Sequence, residues 1–161
     1  MPLYFAYGSN MDLAAMQQRC PQARALGPAR LARHMIFIMT EGYASVRRDM
    51  NTQVHGVLYD IGFGDLKALD RYEEIGRGLY VKMTQPVLRN GAGPVHALIY
   101  IGSTTAKGQP KPGYLEGVTA AARQWGLPQA YISHLESLGG SAAGAVQNPG
   151  RWRAIKLKPA P

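Results

Sequence analysis

Two places in the chain combine residue types and spacing that chemistry can use. The first is Tyr7-Gly8-Ser9-Asn10-Met11, which follows the β-rich apolar run of residues 3–7 and precedes a helix-like stretch. Backbone N–H groups at such a junction, with a glycine permitting close approach, can cradle a carboxylate or a phosphate. The same residues also suit an ordinary helix cap, in which Ser9 or Asn10 satisfies the donors itself. A phosphate loop is excluded, because the lysine and glycine spacing it requires is missing. The second place is Glu73, with Glu74 beside it. Neighbouring helix positions point about 100° apart, so only one of these carboxylates can face inward. Leu66 and Leu69 mark the buried side, and Glu73 follows them at i+7 and i+4 while Glu74 turns toward solvent. A carboxylate on an apolar face can both take and give a proton near neutrality, as general acid–base work requires. The alternative is that Glu73 pairs with Arg71, Arg77 or another cation.

Other reactive side chains lack a supporting pattern. Ser9, Ser45 and Ser103 sit in no Gly-x-Ser-x-Gly elbow, and His34, His55, His96 and His134 show no metal-ligand spacing, so no metal is expected. Cys20, the one cysteine, lies between Arg19 and Pro21 near a helix end and reads as structural. Alone it excludes an internal disulfide framework and a thiolate zinc cage. Among the nine tyrosines, Tyr7, Tyr80 and Tyr114 adjoin turns or strand starts and can offer hydroxyls to a polar ligand.

These residues must be held by a scaffold that the apolar pattern outlines. Residues 3–7 read as a strand, 11–16 as a helix ended by Pro21, and 34–39 as a buried strand, with a further short strand at 42–46. VHGVLYDI at 54–61 is a strand, and Asp65 is expected to cap the helix LKALDRYEE. LYVKMTQPVL and VHALIYI, joined through Asn90-Gly91, form a hairpin, and 114–124 and 128–138 read as helices. Residues 139–150 form a small-residue linker, and WRAIKLK alternates like an edge strand. Short connections between strands favour an α+β domain with a largely antiparallel sheet or small barrel.

At 161 residues the chain makes one domain. Eighteen basic against ten acidic residues give a net charge of +8, but Arg19, Arg24, Arg30, Arg33, Arg47, Arg48 and the tail cations form no continuous run. With no helix-turn-helix spacing and no aromatic-basic RNA signature, the charge reads as solvated surface, and no nucleic-acid partner is expected. No apolar run reaches the ~20 residues of a membrane span, and the start lacks signal-peptide features, so a cytoplasmic location is expected.

YFAYGSNM, GVLYDI, LDRYE followed by GLY, and PGYLEGVTAAARQWGLPQAYISHLESL resemble, in that order, the γ-glutamylcyclotransferase family of the AIG2-like superfamily. The resemblance spans residues 3–138, and its late segment is more similar to the γ-glutamylcyclotransferase branch than to the ε-lysine-linked amine branch. It implies a small mixed, largely antiparallel β-barrel with flanking helices. Residues 1–138 would be the catalytic domain, with 139–161 a linker and basic strand or tail packing on it. The implied reaction converts a γ-glutamyl amine or γ-glutamyl amino acid to 5-oxoproline and free amine by attack of the α-amino group on the γ-carbonyl, with no cofactor. Glu73 would be its general acid–base. Tyr7, Gly8, Ser9, Asn10 and Met11 would hold the glutamyl end, with Tyr80 and Tyr114 as further substrate-binding residues. The resemblance also implies a homodimer. One departure is Glu74, where many relatives carry glycine. A non-catalytic carboxylate-binding module on the same fold is the alternative, and a basic nucleic-acid-binding protein a more distant one.

Overall fold

A computed structural model of the chain describes residues 1–140. Strand β1 (Leu3–Ala6) lies in the middle of a five-stranded sheet. Tyr4, Phe5 and Ala6 are all buried, which fits a strand covered on both faces. On one side β1 pairs antiparallel with β3 (Ala44–Asp60), and β2 (Arg24–Ile38) lies outside β3. On the other it runs parallel to β5 (Val95–Gly102), with β4 (Tyr80–Val87) at the far edge. The approach of β1 to β3 is close: a Cβ on Gly56 would lie 2.2 Å from the Ala6 carbonyl oxygen and press on the Phe5 ring, so only glycine fits.

The sheet does not close into the barrel that the sequence suggests. Its order is β2-β3-β1-β5-β4, and its edges touch through an isolated bridge where Arg30 and Leu88 exchange backbone hydrogen bonds of 2.9 Å. Pro86 in β4 has no N–H to donate, which suits an edge position.

The segments at 34–39, 42–46 and 54–61 belong to two long strands rather than three short ones. β2 and β3 support each other, so Arg47, Arg48 and Gln53 of the polar run RRDMNTQ join the ladder without apolar alternation of their own. The ladder shifts register between Ala25 and Gly27, and breaks more widely where it jumps from Ala32↔Gln53 to His34↔Arg48, with Arg33 at φ 58°. Residues 49–52 bulge outward there, held by the Asn51 N–H on Asp49 Oδ1 at 2.9 Å and the Thr52 hydroxyl on the His34 carbonyl at 2.8 Å.

Helix α1 (Leu13–Arg19) follows a single 3₁₀ turn at Ser9–Met11. Helix α2 (Phe63–Tyr72) begins at Gly62, so Asp65 is not its cap. Asp65 sits in the first turn, buried, where a negative charge meets the positive end of the helix dipole. The inward line of α2 is Asp65, Leu69 and Glu73, spaced by four, and Leu66 is only partly buried. Helices α3 (Tyr114–Gln124) and α4 (Gln129–Ser137) fall within one residue of expectation and are joined by an Arg123–Glu136 ion pair. The core is filled by Phe5, Met16, Leu58, Tyr59, Ile99 and Leu135, all essentially inaccessible. Cys20 is buried as well, and burial, with the nearby Asp65 charge, pushes its thiol up to about 12. The expected edge strand WRAIKLK and nearly all of the expected linker lie outside the described residues. Among the described residues, no helix is long and apolar enough to cross a membrane.

Glu73 takes the C-cap of α2, and Glu74 then adopts a left-handed conformation at φ 54° and ψ 41°. That backbone favours glycine, the residue that the resemblance leads one to expect there. Glu74→Gly should therefore stabilise the fold by about 0.5–1 kcal/mol, after allowing for glycine's larger unfolded-state entropy. The ion pair it removes, to the exposed Arg77, adds little. Thermal denaturation should show a melting temperature raised by roughly 2 °C; a lowered one would contradict the strain argument.

Candidate functional site

Six segments that the sheet brings together form a narrow cleft. Its walls are Tyr4, Tyr7, Gly8, Ser9 and Asn10 from β1 and the following turn, Ala44, Tyr80 and Tyr100 from β3, β4 and β5, Tyr114 from the start of α3, and Glu73 from the end of α2. Only about 20 Å³ of the cleft admits the centre of a water molecule. A ligand larger than one or two waters enters only if side chains at the mouth yield.

Glu73 is 6% exposed. Asn10 Nδ2 donates to its Oε1 at 3.2 Å and to the Tyr4 hydroxyl at 3.0 Å. The Asn10 Oδ1 accepts from Arg19 Nη1 at 2.6 Å. The side chain of Asn10 is thus fully engaged within the protein. The question of what caps α1 is settled by Asp12, whose Oδ1 accepts from the Ala15 N–H at 2.8 Å. Neither Ser9 nor Asn10 is needed for that task. Ser9 Oγ instead meets the Tyr72 hydroxyl at 3.0 Å. Met11 turns its side chain into the core, fully buried, and its carbonyl accepts from Trp125 Nε1 at 2.7 Å, which ties the turn to the end of α3.

The tyrosine hydroxyls are directed by backbone. Tyr7 donates to the Tyr100 carbonyl at 2.5 Å, and Tyr80 donates to the Ala44 carbonyl at 2.8 Å. Tyr114 accepts from the Ala44 N–H at 3.2 Å, so its own proton points elsewhere. Gly8 permits the approach of that hydroxyl, since a Cβ on Gly8 would lie 2.9 Å from it. The Tyr100 hydroxyl donates to Asp70 Oδ1 at 2.6 Å, and Asp70 also pairs with Lys82 at 2.8 Å, which fastens α2 to β4 and β5. Chemically, the cleft offers one buried carboxylate, hydroxyl lone pairs of oriented tyrosines, and the Gly8–Asn10 turn beside the carboxylate.

Of the residues that the sequence singles out, Tyr7, Gly8, Ser9, Asn10, Glu73, Tyr80 and Tyr114 line this one cleft, and Met11 does not. Sequence reasoning misses Tyr4, Tyr100 and Ala44. Strand alternation places Tyr4 and Tyr7 on opposite faces, and only the turn after Ala6 brings both rings to the cleft. Two larger concavities, of about 510 and 390 Å³, border the β2–β3 hairpin, and neither is lined by a carboxylate. Among the described residues, no group of three or more His, Cys, Asp or Glu side chains is placed to hold a metal ion.

The model of the AIG2-like family matches residues 53–135, just over half of the chain and including Glu73. The chain belongs to the AIG2-like family. It is similar to a Mus musculus protein named gamma-glutamylcyclotransferase, 27% identical over 146 residues that cover 84% of this chain and 78% of the mouse protein. A Homo sapiens protein of the same name is 25% identical with the same coverage. A solved gamma-glutamyl cyclotransferase structure superposes with a TM-score of 0.82 over 96% of this chain and 97% of that one, at 23% identity. This likeness establishes a shared fold.

Burial raises the Tyr4, Tyr7 and Tyr80 hydroxyls well above their usual value of 10, and the Glu73 charge adds to the effect in each. In the unfolded chain these tyrosines ionise near pH 10, whereas in the folded chain they stay protonated. Stability is therefore intact below pH 10 and falls as pH rises above it, by about 1.4 kcal/mol per pH unit for each such tyrosine. Urea denaturation across this range should show a steep alkaline loss, with part of the tyrosinate absorbance appearing only on unfolding. A folded protein in which all nine tyrosines titrate together near pH 10 would refute the arrangement.

Proposed function

We propose that the protein is a γ-glutamylcyclotransferase, which converts a γ-glutamyl amine or γ-glutamyl amino acid to 5-oxoproline and the free amine. The observation that carries this reading is the buried Glu73 carboxylate, hydrogen-bonded at 3.2 Å to Asn10 of the turn that lines the same cleft with Gly8 and Ser9. Membership of the AIG2-like family and the names of the mouse and human relatives support it.

The reaction needs one proton shuttle. Glu73 takes a proton from the α-ammonium, and the freed amine attacks the γ-carbonyl carbon of its own glutamyl chain. As the bond from that carbon to the departing nitrogen breaks, Glu73 returns the proton to that nitrogen. The ring nitrogen sheds a second proton, which ends on the released amine, so atoms and charge balance without water, oxidant or added nucleophile. Backbone N–H groups of the turn meet the charge that grows on the γ-carbonyl oxygen. Tyr7 and Tyr80, their protons committed to carbonyls, offer lone pairs to the ammonium. Folding the glutamyl chain so that nitrogen and carbonyl carbon approach to about 3 Å is itself a large rate term. A single buried cysteine suits a reducing, cytoplasmic setting.

Incubation with a panel of γ-glutamyl amino acids and amines, assayed for 5-oxoproline, tests the reading. At least one member should be turned over, and Glu73→Gln should lose on the order of 10²-fold or more while melting cooperatively like the parent. Binding of γ-glutamyl compounds without turnover would favour a non-catalytic carboxylate-binding module, and full activity in Glu73→Gln would exclude the proposed role of that residue.

A further inference from the structure

We infer that Arg19 is a positioning residue for Glu73, acting through Asn10 and Tyr72; the inference builds on the reading of Glu73 as the proton shuttle. An asparagine amide has two orientations that exchange oxygen and nitrogen, and nothing intrinsic to the side chain selects one. Here the choice matters, because one orientation offers Glu73 an N–H donor and the other sets a carbonyl oxygen against a carboxylate. A guanidinium carries only donors, so the Asn10 oxygen must face Arg19 Nη1, which lies 2.6 Å away. The two Nδ2 protons are then directed at Glu73 Oε1 and the Tyr4 hydroxyl.

Arg19 makes a second contact that points the same way. Its guanidinium carbon lies 3.9 Å from the centre of the Tyr72 ring, a cation–π contact at half-buried depth. Tyr72 immediately precedes Glu73, and its hydroxyl meets Ser9 Oγ at 3.0 Å. One side chain at the end of α1 therefore holds both the turn residue that donates to the carboxylate and the residue from which the carboxylate's own backbone continues. Lysine at this position keeps a donor but lacks the flat face that stacks on Tyr72.

A double-mutant cycle tests this. Arg19→Met should reduce kcat by ~10–100-fold with KM unchanged, since Arg19 aligns the shuttle and does not grip substrate. Asn10→Ala should cost at least as much, and the double variant clearly less than the product of the two single losses, because Arg19 acts in part through Asn10. Arg19→Lys should recover part of the loss, and it takes the place of Arg19→Met in the cycle if the latter does not fold. Additive losses, or wild-type kcat in Arg19→Met, would overturn the inference. The side-chain NH₂ signals of Asn10 in a ¹⁵N-correlated NMR spectrum, identified by their loss in Asn10→Ala, give a readout that needs no activity. They should be well separated and slow to exchange in the parent and should lose both properties in Arg19→Met. Unchanged signals would refute the positioning role, whereas a parent that makes no 5-oxoproline but shows the NMR change would refute only the functional reading.

Discussion

A carboxylate withdrawn from water sets the terms for the rest of this molecule. Moving an ionised Glu73 into a site where it is almost inaccessible costs several kcal/mol unless hydrogen-bond donors replace the lost hydration. The replacement comes from Asn10, on a turn whose position depends on β1 running through the centre of the sheet. The turn is in turn anchored by Trp125 on the Met11 carbonyl and by Arg19 on Asn10. Strand, turn and two helices thus converge on one charged group, and their packing is the condition for burying it.

The tyrosines show how the same economy extends to the walls. Tyr7 and Tyr80 are each held at the hydroxyl by a carbonyl from another strand, and Tyr114 by the Ala44 N–H. Ala44 therefore fixes two rings through its backbone alone, which explains why an alanine with no reactive side chain belongs to the cleft. Rings pinned at both ends lose little further freedom when a ligand arrives, so the groups that would meet it are already oriented.

Much of the site was legible because its signals are local. The strand-turn-helix run at residues 3–16, the inward line through Leu69 and Glu73, and the two late helices each follow from spacing within a few residues. What was not legible depends on partners far along the chain. β2 and β3 are longer than their apolar segments because each supplies the other's hydrogen bonds, and no pattern within RRDMNTQ announces that. Asp65 has the composition of a cap but lies inside the first turn, because Gly62 starts the helix earlier. Tyr4 and Tyr100 reach the cleft through sheet geometry, and Arg19 acts through a contact with a residue nine positions before it. The open sheet, in place of a closed barrel, likewise reflects how few hydrogen bonds join β2 to the end of β4.

The parallel pairing of β1 with β5 carries a consequence for how the molecule is made. Tyr4 sits opposite Leu98, and Leu3–Ala6 also pairs with Asp60 to Val57, so the strand that leads into the turn has both of its neighbours far downstream. During synthesis that strand must remain unpaired on one side until β5 has left the ribosome. Contacts of such high sequence separation form late and slowly, and an apolar strand waiting for them is exposed to aggregation. The cleft is consequently among the last features to appear, and a nascent chain stalled before residue 95 would carry Glu73 without β5 and without the Tyr100 and Tyr114 walls of its cleft.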